Sequence, residues 1–159
     1  MMPAVKRILC CVGLRGDCER VLARSVWLAG ATGAELHVLH AVKSLSDDVM
    51  NTLKVNIRHK PTLEGLMQQR LDQAQENLEK MLEDFWSTHD DGDPRPVIAG
   101  LNVVEGYPAS EIIRYATRHD CDMIIMATNK RGFVASYAGK VTKGVIKRAS
   151  IPVVVVPTP

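Results

Sequence analysis

The chain has 159 residues, 46% of them hydrophobic and 24% charged, and carries a net charge of +2. That is the size of one ordinary domain with material for a single core, in the soluble globular class, with no apolar run long enough to cross a bilayer. Aromatic residues are only 4% of the chain, which leaves little to stack on bases and argues against nucleic acid.

In chain order, Lys6-Arg7 leads straight into Ile8-Leu9-Cys10-Cys11-Val12, a short continuous apolar run that predicts a strand covered on both faces. No long apolar centre of a signal peptide precedes it, so a cytoplasmic location is expected. Asp17 offers an N-cap for a helix with Val21, Leu22, Ser25, Val26 and Ala29 on one side, ended by Gly30 or Gly33. Leu36 to Val42 reads as the second strand. No clear period runs from Lys43 to Pro61, a stretch expected to overlie the ligand region as a lid or as a filler of the cleft. The longest helix begins at Pro61-Thr62, and Leu63, Leu66, Met67, Leu71, Ala74, Leu78, Met81, Leu82 and Phe85 recur at helical spacing, which predicts a core-facing stripe.

His89-Asp90-Asp91-Gly92-Asp93-Pro94 reads as a solvated turn rather than a metal site. Pro96 to Val104 is the third strand, and Pro108 with Glu111 suits the start of a helix that buries Ile112, Ile113 and Ala116. Met123 to Met126 is the fourth strand. A loop from Ala127 to Ala138 feeds a helix opened by Gly139, and Ile151 to Val156 is the fifth strand. Alternation of this kind predicts one α/β domain over residues 1–159, a doubly wound parallel five-stranded sheet sandwiched by helices. Ligands of such folds sit at the carboxyl ends of the strands.

The four cysteines have no zinc-site spacing, and adjacent Cys10 and Cys11 point to opposite faces of a strand, so they read as small hydrophobes in a reducing compartment. His40 has no Ser or Cys placed as a nucleophile beside it and reads as a structural, hydrogen-bonded histidine. No enzyme is expected. Beyond Asp122 the chain holds six basic residues and no acid, leaving 14 basic against 18 acidic elsewhere. That asymmetry reads either as a solvated helix face with its loop or as a surface for a small phosphate-bearing ligand.

Five fragments in order carry a family resemblance: Lys6-Arg7-Ile8-Leu9 with Gly33-Ala34-Glu35-Leu36, Leu39-His40-Ala41-Val42, Gly106-Tyr107-Pro108-Ala109-Ser110-Glu111-Ile112-Ile113, Asp120-Cys121-Asp122-Met123-Ile124-Ile125-Met126, and Gly139-Lys140-Val141-Thr142 through Ile151-Pro152-Val153-Val154-Val155-Val156. Together they resemble a universal stress protein of the UspA type over nearly the whole length. The resemblance implies a Rossmann-like, adenine nucleotide alpha hydrolase-like fold and a role in stress response. It also implies a homodimer paired through the last strand, Val153 to Val156; an unidentified protein partner is a further expectation, a membrane is not.

The resemblance further implies where ATP would sit: a glycine, two residues, a second glycine, nine residues, and a third glycine followed by Ser or Thr. Glycines let backbone amides approach phosphates, and the last opens a helix whose N-terminus faces them. Here the first two positions hold Ala127 and Lys130, or Met126 and Asn129 in the other alignment; only Gly139 remains, followed by Lys140. The acid usual at the end of the first strand aligns with Gly13, and the valine usual after His40 is Ala41. The expectation is a degenerate motif and no ATP bound in the usual family manner. The alternative is a modified site for ATP or another adenine nucleotide, built from Gly13, Ala41, Ala127, Lys130, Arg131, Gly139, Lys140 and Val141, with lysine and arginine supplying charge where amides are lost.

Overall fold

The computed structural model describes residues 2–13, 18–89, 95–128 and 139–157. Five strands, β1 (Arg7–Cys11), β2 (Glu35–Lys43), β3 (Ile98–Gly106), β4 (Met123–Ala127) and β5 (Val153–Val156), form a single sheet in the order β3-β2-β1-β4-β5. Every neighbouring pair is parallel. The expected α/β sandwich is therefore present, and the strand order reverses direction between β1 and β4.

Side-chain alternation along the strands divides the core in two. Ile8, Cys10, Leu36, Val38 and Ile125 pack under α1 (Cys18–Thr32) and the distal part of α3 (Lys60–Thr88). Leu9, Cys11, Leu39, Ile124 and Met126 pack under α4 (Pro108–Arg118) and α5 (Lys140–Arg148). Cys10 and Cys11 fall on opposite faces as their adjacency requires, and neither is bridged to the other or to Cys121. The expected N-cap Asp17 lies outside the described residues. The far end of α1 matches the reading: Thr32 is its last residue, and Gly33 follows at φ +72°, a left-handed conformation that glycine adopts without strain.

Two expectations are corrected. The stretch after Lys43 contains a helix of its own, α2 (Asp47–Asn56), where no period was read. Ser46 caps it by accepting a 3.3 Å hydrogen bond from the Val49 amide, and Met50, Leu53 and Ile57 supply a sparse helical spacing. The long apolar stripe of α3, read as core throughout, is buried only at Leu78, Leu82 and Phe85. Its first half, including Leu63, Met67 and Leu71, lines an open groove of about 570 Å³ against α2, and Leu66 is exposed. The reason is length: 29 helical residues span about 43 Å, while the nine residues of β3 cover only about 30 Å. Half of the helix overhangs the sheet.

Candidate functional site

The carboxyl ends of β1 and β4 meet where the strand order reverses, and the first turn of α5 closes the space beside them. Gly13 follows β1 at this mouth, and a Cβ placed on it would meet nothing within 4 Å. Ala127 ends β4, paired with Val156, and its methyl packs toward the α1-side core. Ala41 lies on β2 opposite Val104, half-buried against the other core. Gly139 caps α5 without a side-chain bond, and no acid stands in that first turn. Lys140 is exposed and Val141 half-buried. Lys130 and Arg131, with Asn129, lie outside the described residues. Of the eight candidate residues, six are thus gathered at one end of the sheet.

Three bonds fix the strand-to-helix connection. The Gly139 amide donates to the Thr128 carbonyl. The Thr128 amide donates to the Val156 carbonyl at 3.1 Å. Thr142, fully buried, donates from Oγ1 to the Ala127 carbonyl at 2.8 Å. Thr142 was not singled out from the sequence; its signal was a hydroxyl one turn inside the helix, facing the strand end. The Gly139 amide is consumed by Thr128. Among the described residues no carbonyl accepts the amides of Lys140, Val141 and Thr142, the first three of the helix. Such donors and the helix dipole favour an anion.

His40 donates from Nδ1 to the Val12 carbonyl at 2.8 Å, which ties the end of β2 to the end of β1 and fits the structural role read for it. Burial, the largest influence on each, pushes the Cys10 thiol up to about 12 and the Cys11 thiol well above its ordinary value. Neither is a nucleophile in the folded protein.

A second polar cluster, not read from the sequence, lies toward the amino end of the sheet. Asn102 donates to the Tyr115 hydroxyl at 3.2 Å, and that hydroxyl lies 2.8 Å from His37 Nδ1. With the oxygen already accepting from Asn102, the tyrosine proton is free to go to Nδ1, which leaves the histidine's own proton on Nε2. Nε2 has no hydrogen-bond partner among the described residues and stands 3.6 Å from Glu35 Oε1. Glu35 is held by Arg7 Nε at 3.0 Å. Among the described residues, no group of three or more His, Cys, Asp or Glu is placed to hold a metal ion.

An all-parallel five-stranded α/β sheet with a helix N-terminus at its switch point defines the class. Within it, the chain matches the Universal stress protein family over residues 4–157 and belongs to that family. A universal stress protein of Methanocaldococcus jannaschii is 41% identical over 58 residues, covering 36% of this chain; the match spans about a third (34%) of that relative's length. Among solved structures, universal stress protein UspA from Lactobacillus plantarum is similar with a TM-score of 0.71 and 19% identity, covering 98% of this chain and 99% of that one. A universal stress protein in complex with cAMP gives 0.64 at 14% identity over 99% and 100%. A universal stress protein from Archaeoglobus fulgidus in complex with dAMP gives 0.59 at 19% over 97% and 98%. At these identities the structures establish the shared fold. No helix among the described residues is long and apolar enough to cross a membrane.

Proposed function

We propose that this protein acts in the stress response as a non-catalytic universal stress protein that does not hold ATP in the usual family manner. The observation that carries this reading is the strand-to-helix connection. Of the three glycines implied by the resemblance, Gly139 alone remains, and its amide is already bonded to Thr128. Ala127 stands at the first glycine position, where the resemblance implies a residue without a Cβ. At the end of β1, Gly13 stands where the resemblance implies an acid near the nucleotide. Calorimetric titration with ATP, ADP, AMP and cyclic AMP tests it: no heat of binding up to millimolar ligand is expected, and a micromolar Kd for ATP overturns it.

A second reading rests on a different observation. In the first turn of α5 the Lys140, Val141 and Thr142 amides have no carbonyl partner among the described residues, Lys140 is exposed and no acid is present, which suits the phosphate of an adenine nucleotide. The neighbours bound to cAMP and dAMP show that the family fold accommodates such ligands. On this reading a monophosphate binds, and Lys140→Ala weakens it about tenfold, the loss of one charge-assisted contact.

The protein pairs with a second copy through β5, in our proposal. Support comes from the position of β5 at the sheet edge and from Val154, 38% exposed there; an uncovered apolar edge in a folded protein is normally paired or shielded. Light scattering at micromolar concentration is expected to give a dimer mass that Val154→Lys reduces to a monomer. A wild-type monomer removes this part of the proposal.

A further inference from the structure

Helix α2 is ten residues long and buries none of them. A helix this short is marginal in water without tertiary packing. Its neighbour, the first half of α3, overhangs the sheet with its apolar stripe uncovered except by α2 itself. Between them lies the 570 Å³ groove, floored by Met50, Ile57, Leu63, Met67 and Leu71. Elsewhere on the same two helices Val49, Val55 and Leu66 are 44%, 69% and 38% exposed, three of the nine exposed large hydrophobics among the described residues. An overhang this rich in uncovered apolar side chains suits a protein surface better than a small ligand.

The charges say which surface. Asp47 and Asp48 occupy the first turn of α2, while Lys54 and Arg58 stand at its other end. None of the four has an ion-pair partner among the described residues. The remaining charges on the groove are already matched. Lys60 lies 4.0 Å from Glu64, and Glu105 accepts from Arg70 at 2.8 Å. An acidic segment laid along α2 would suit Lys54 and Arg58 but meet Asp47 and Asp48 at the other end. A basic segment fails in the opposite sense. Only an antiparallel partner with the same split of charge satisfies both ends, and a second α2 related by a two-fold axis is such a partner. The arrangement spans about 16 Å from Asp47 to Arg58, and it also opposes the two helix dipoles.

We propose that the α2–α3 hairpin is a self-complementary docking surface for a second copy of this chain, two hairpins closing into a four-helix layer. It is separate from the β5 edge, because no residue of β5 lines the groove. In the assembly Asp47 and Asp48 of one copy face Arg58 and Lys54 of the other. Each contact occurs twice, and Met50, Met67 and their neighbours fill the shared core. Methionine suits such a surface, since its flexible thioether repacks against its own image.

Sedimentation of the full-length protein from about 10 to about 500 μM at low salt tests this, because a self-association is concentration-dependent. The wild type is expected to reach at least twice the mass of the double variant Lys54→Glu/Arg58→Glu, whatever β5 does. The variant Asp47→Lys/Asp48→Lys should lose the same step. An equimolar mixture of the two variants should regain it to within about threefold of wild type, because opposite charges face each other again. That rescue separates pairing from mere unravelling of α2. Unchanged mass in both variants overturns the proposal. So does loss in both without rescue on mixing, which would mean that the charge reversals act on the folding of α2 and not on a pairing.

Discussion

Gly100 sits in β3 directly beneath the cluster formed by Tyr115, His37 and Asn102. A Cβ added there would stand 2.5 Å from the Tyr115 hydroxyl, 2.8 Å from His37 Nδ1 and 3.3 Å from Asn102 Nδ2. The first two distances are shorter than carbon tolerates, so Gly100→Ala must push the tyrosine hydroxyl off the histidine. Overpacking a filled site costs about 1–3 kcal/mol. Leaving a buried partner of the 2.8 Å bond unsatisfied costs about 1–3 kcal/mol more. Alanine returns about 0.5–1 kcal/mol through its lower backbone entropy in a strand. A net destabilisation of about 1–5 kcal/mol, centred on about 3, is expected, a large fraction of the about 5–15 kcal/mol typical of a domain.

Urea unfolding followed by circular dichroism measures this, and the midpoint should fall with an unchanged slope. Tyr115→Phe provides the internal control. It removes the oxygen that the new methyl strikes, so Gly100→Ala should be less harmful in that background by roughly 1 kcal/mol or more, the signature of touching residues. A Gly100→Ala protein within about 0.5 kcal/mol of wild type refutes the geometry, because that is the range of substitutions that touch nothing. Strict additivity with Tyr115→Phe refutes it equally.

Burial, opposed by the nearby Glu35 carboxylate, lowers the His37 pKa from its ordinary 6.5, with His119 and Arg7 adding in the same direction as burial. The folded state therefore prefers neutral His37, its stabilisation is complete above about pH 6.5, and it is lost as pH falls from there toward the folded pKa. Unfolding midpoints at pH 7.5 and 5.5 should show this acid-side loss, and His37→Gln should shrink it; an equal loss in the variant counts against it. A thiol reagent should modify Cys18 fastest in the native protein and reach Cys10, Cys11 and Cys121 only on unfolding, since these three are buried; rapid labelling of all four would contradict the packing. Leu78→Ala, at a fully buried position of α3, should cost about 2–5 kcal/mol. Leu66→Ala in the overhang should cost under about 0.5 kcal/mol in dilute protein, and equal losses would mean that the first half of α3 is packed after all.

The strands were legible because each is a short run of Ile, Leu, Val, Met or Cys bounded by charge, glycine or proline, and a sheet covered on both faces has no other composition. Their ends were less so. The third strand reaches two residues beyond Val104, to Gly106, and backbone pairing with Lys43 is not written in side chains. Helix α2 was missed because burial leaves the helical pattern that periodicity reads, and α2 has no buried residue. The α3 stripe misled for the converse reason: apolar spacing states which face is apolar, not whether anything covers it. At the site, Gly139 and the strand ends were found because they follow from topology. Thr142 and the His37–Tyr115 pair were not, since each is joined to its partner only by the fold, 15 and 78 positions apart in sequence.

Several site candidates, Ala41, Ala127 and Val141, also pack against the core, but Gly13 does not, so it can be changed apart from folding. A Cβ there meets nothing within 4 Å, and the Gly13 backbone is outside the left-handed region, so Gly13→Asp should leave stability within about 0.5 kcal/mol of wild type. Any change in ligand affinity would then report on the site and not on folding. Restoring this acid supplies a partner for a ribose hydroxyl, but leaves Ala127 and Lys130 where amides would have to approach a triphosphate. One charge-assisted hydrogen bond is worth about 1.5–3 kcal/mol, while a micromolar complex needs about 8 kcal/mol. Gly13→Asp alone is therefore expected to show no ATP binding up to millimolar concentration by calorimetry. A Kd in the micromolar range would mean that the phosphate cradle was intact all along and only the ribose contact was lacking.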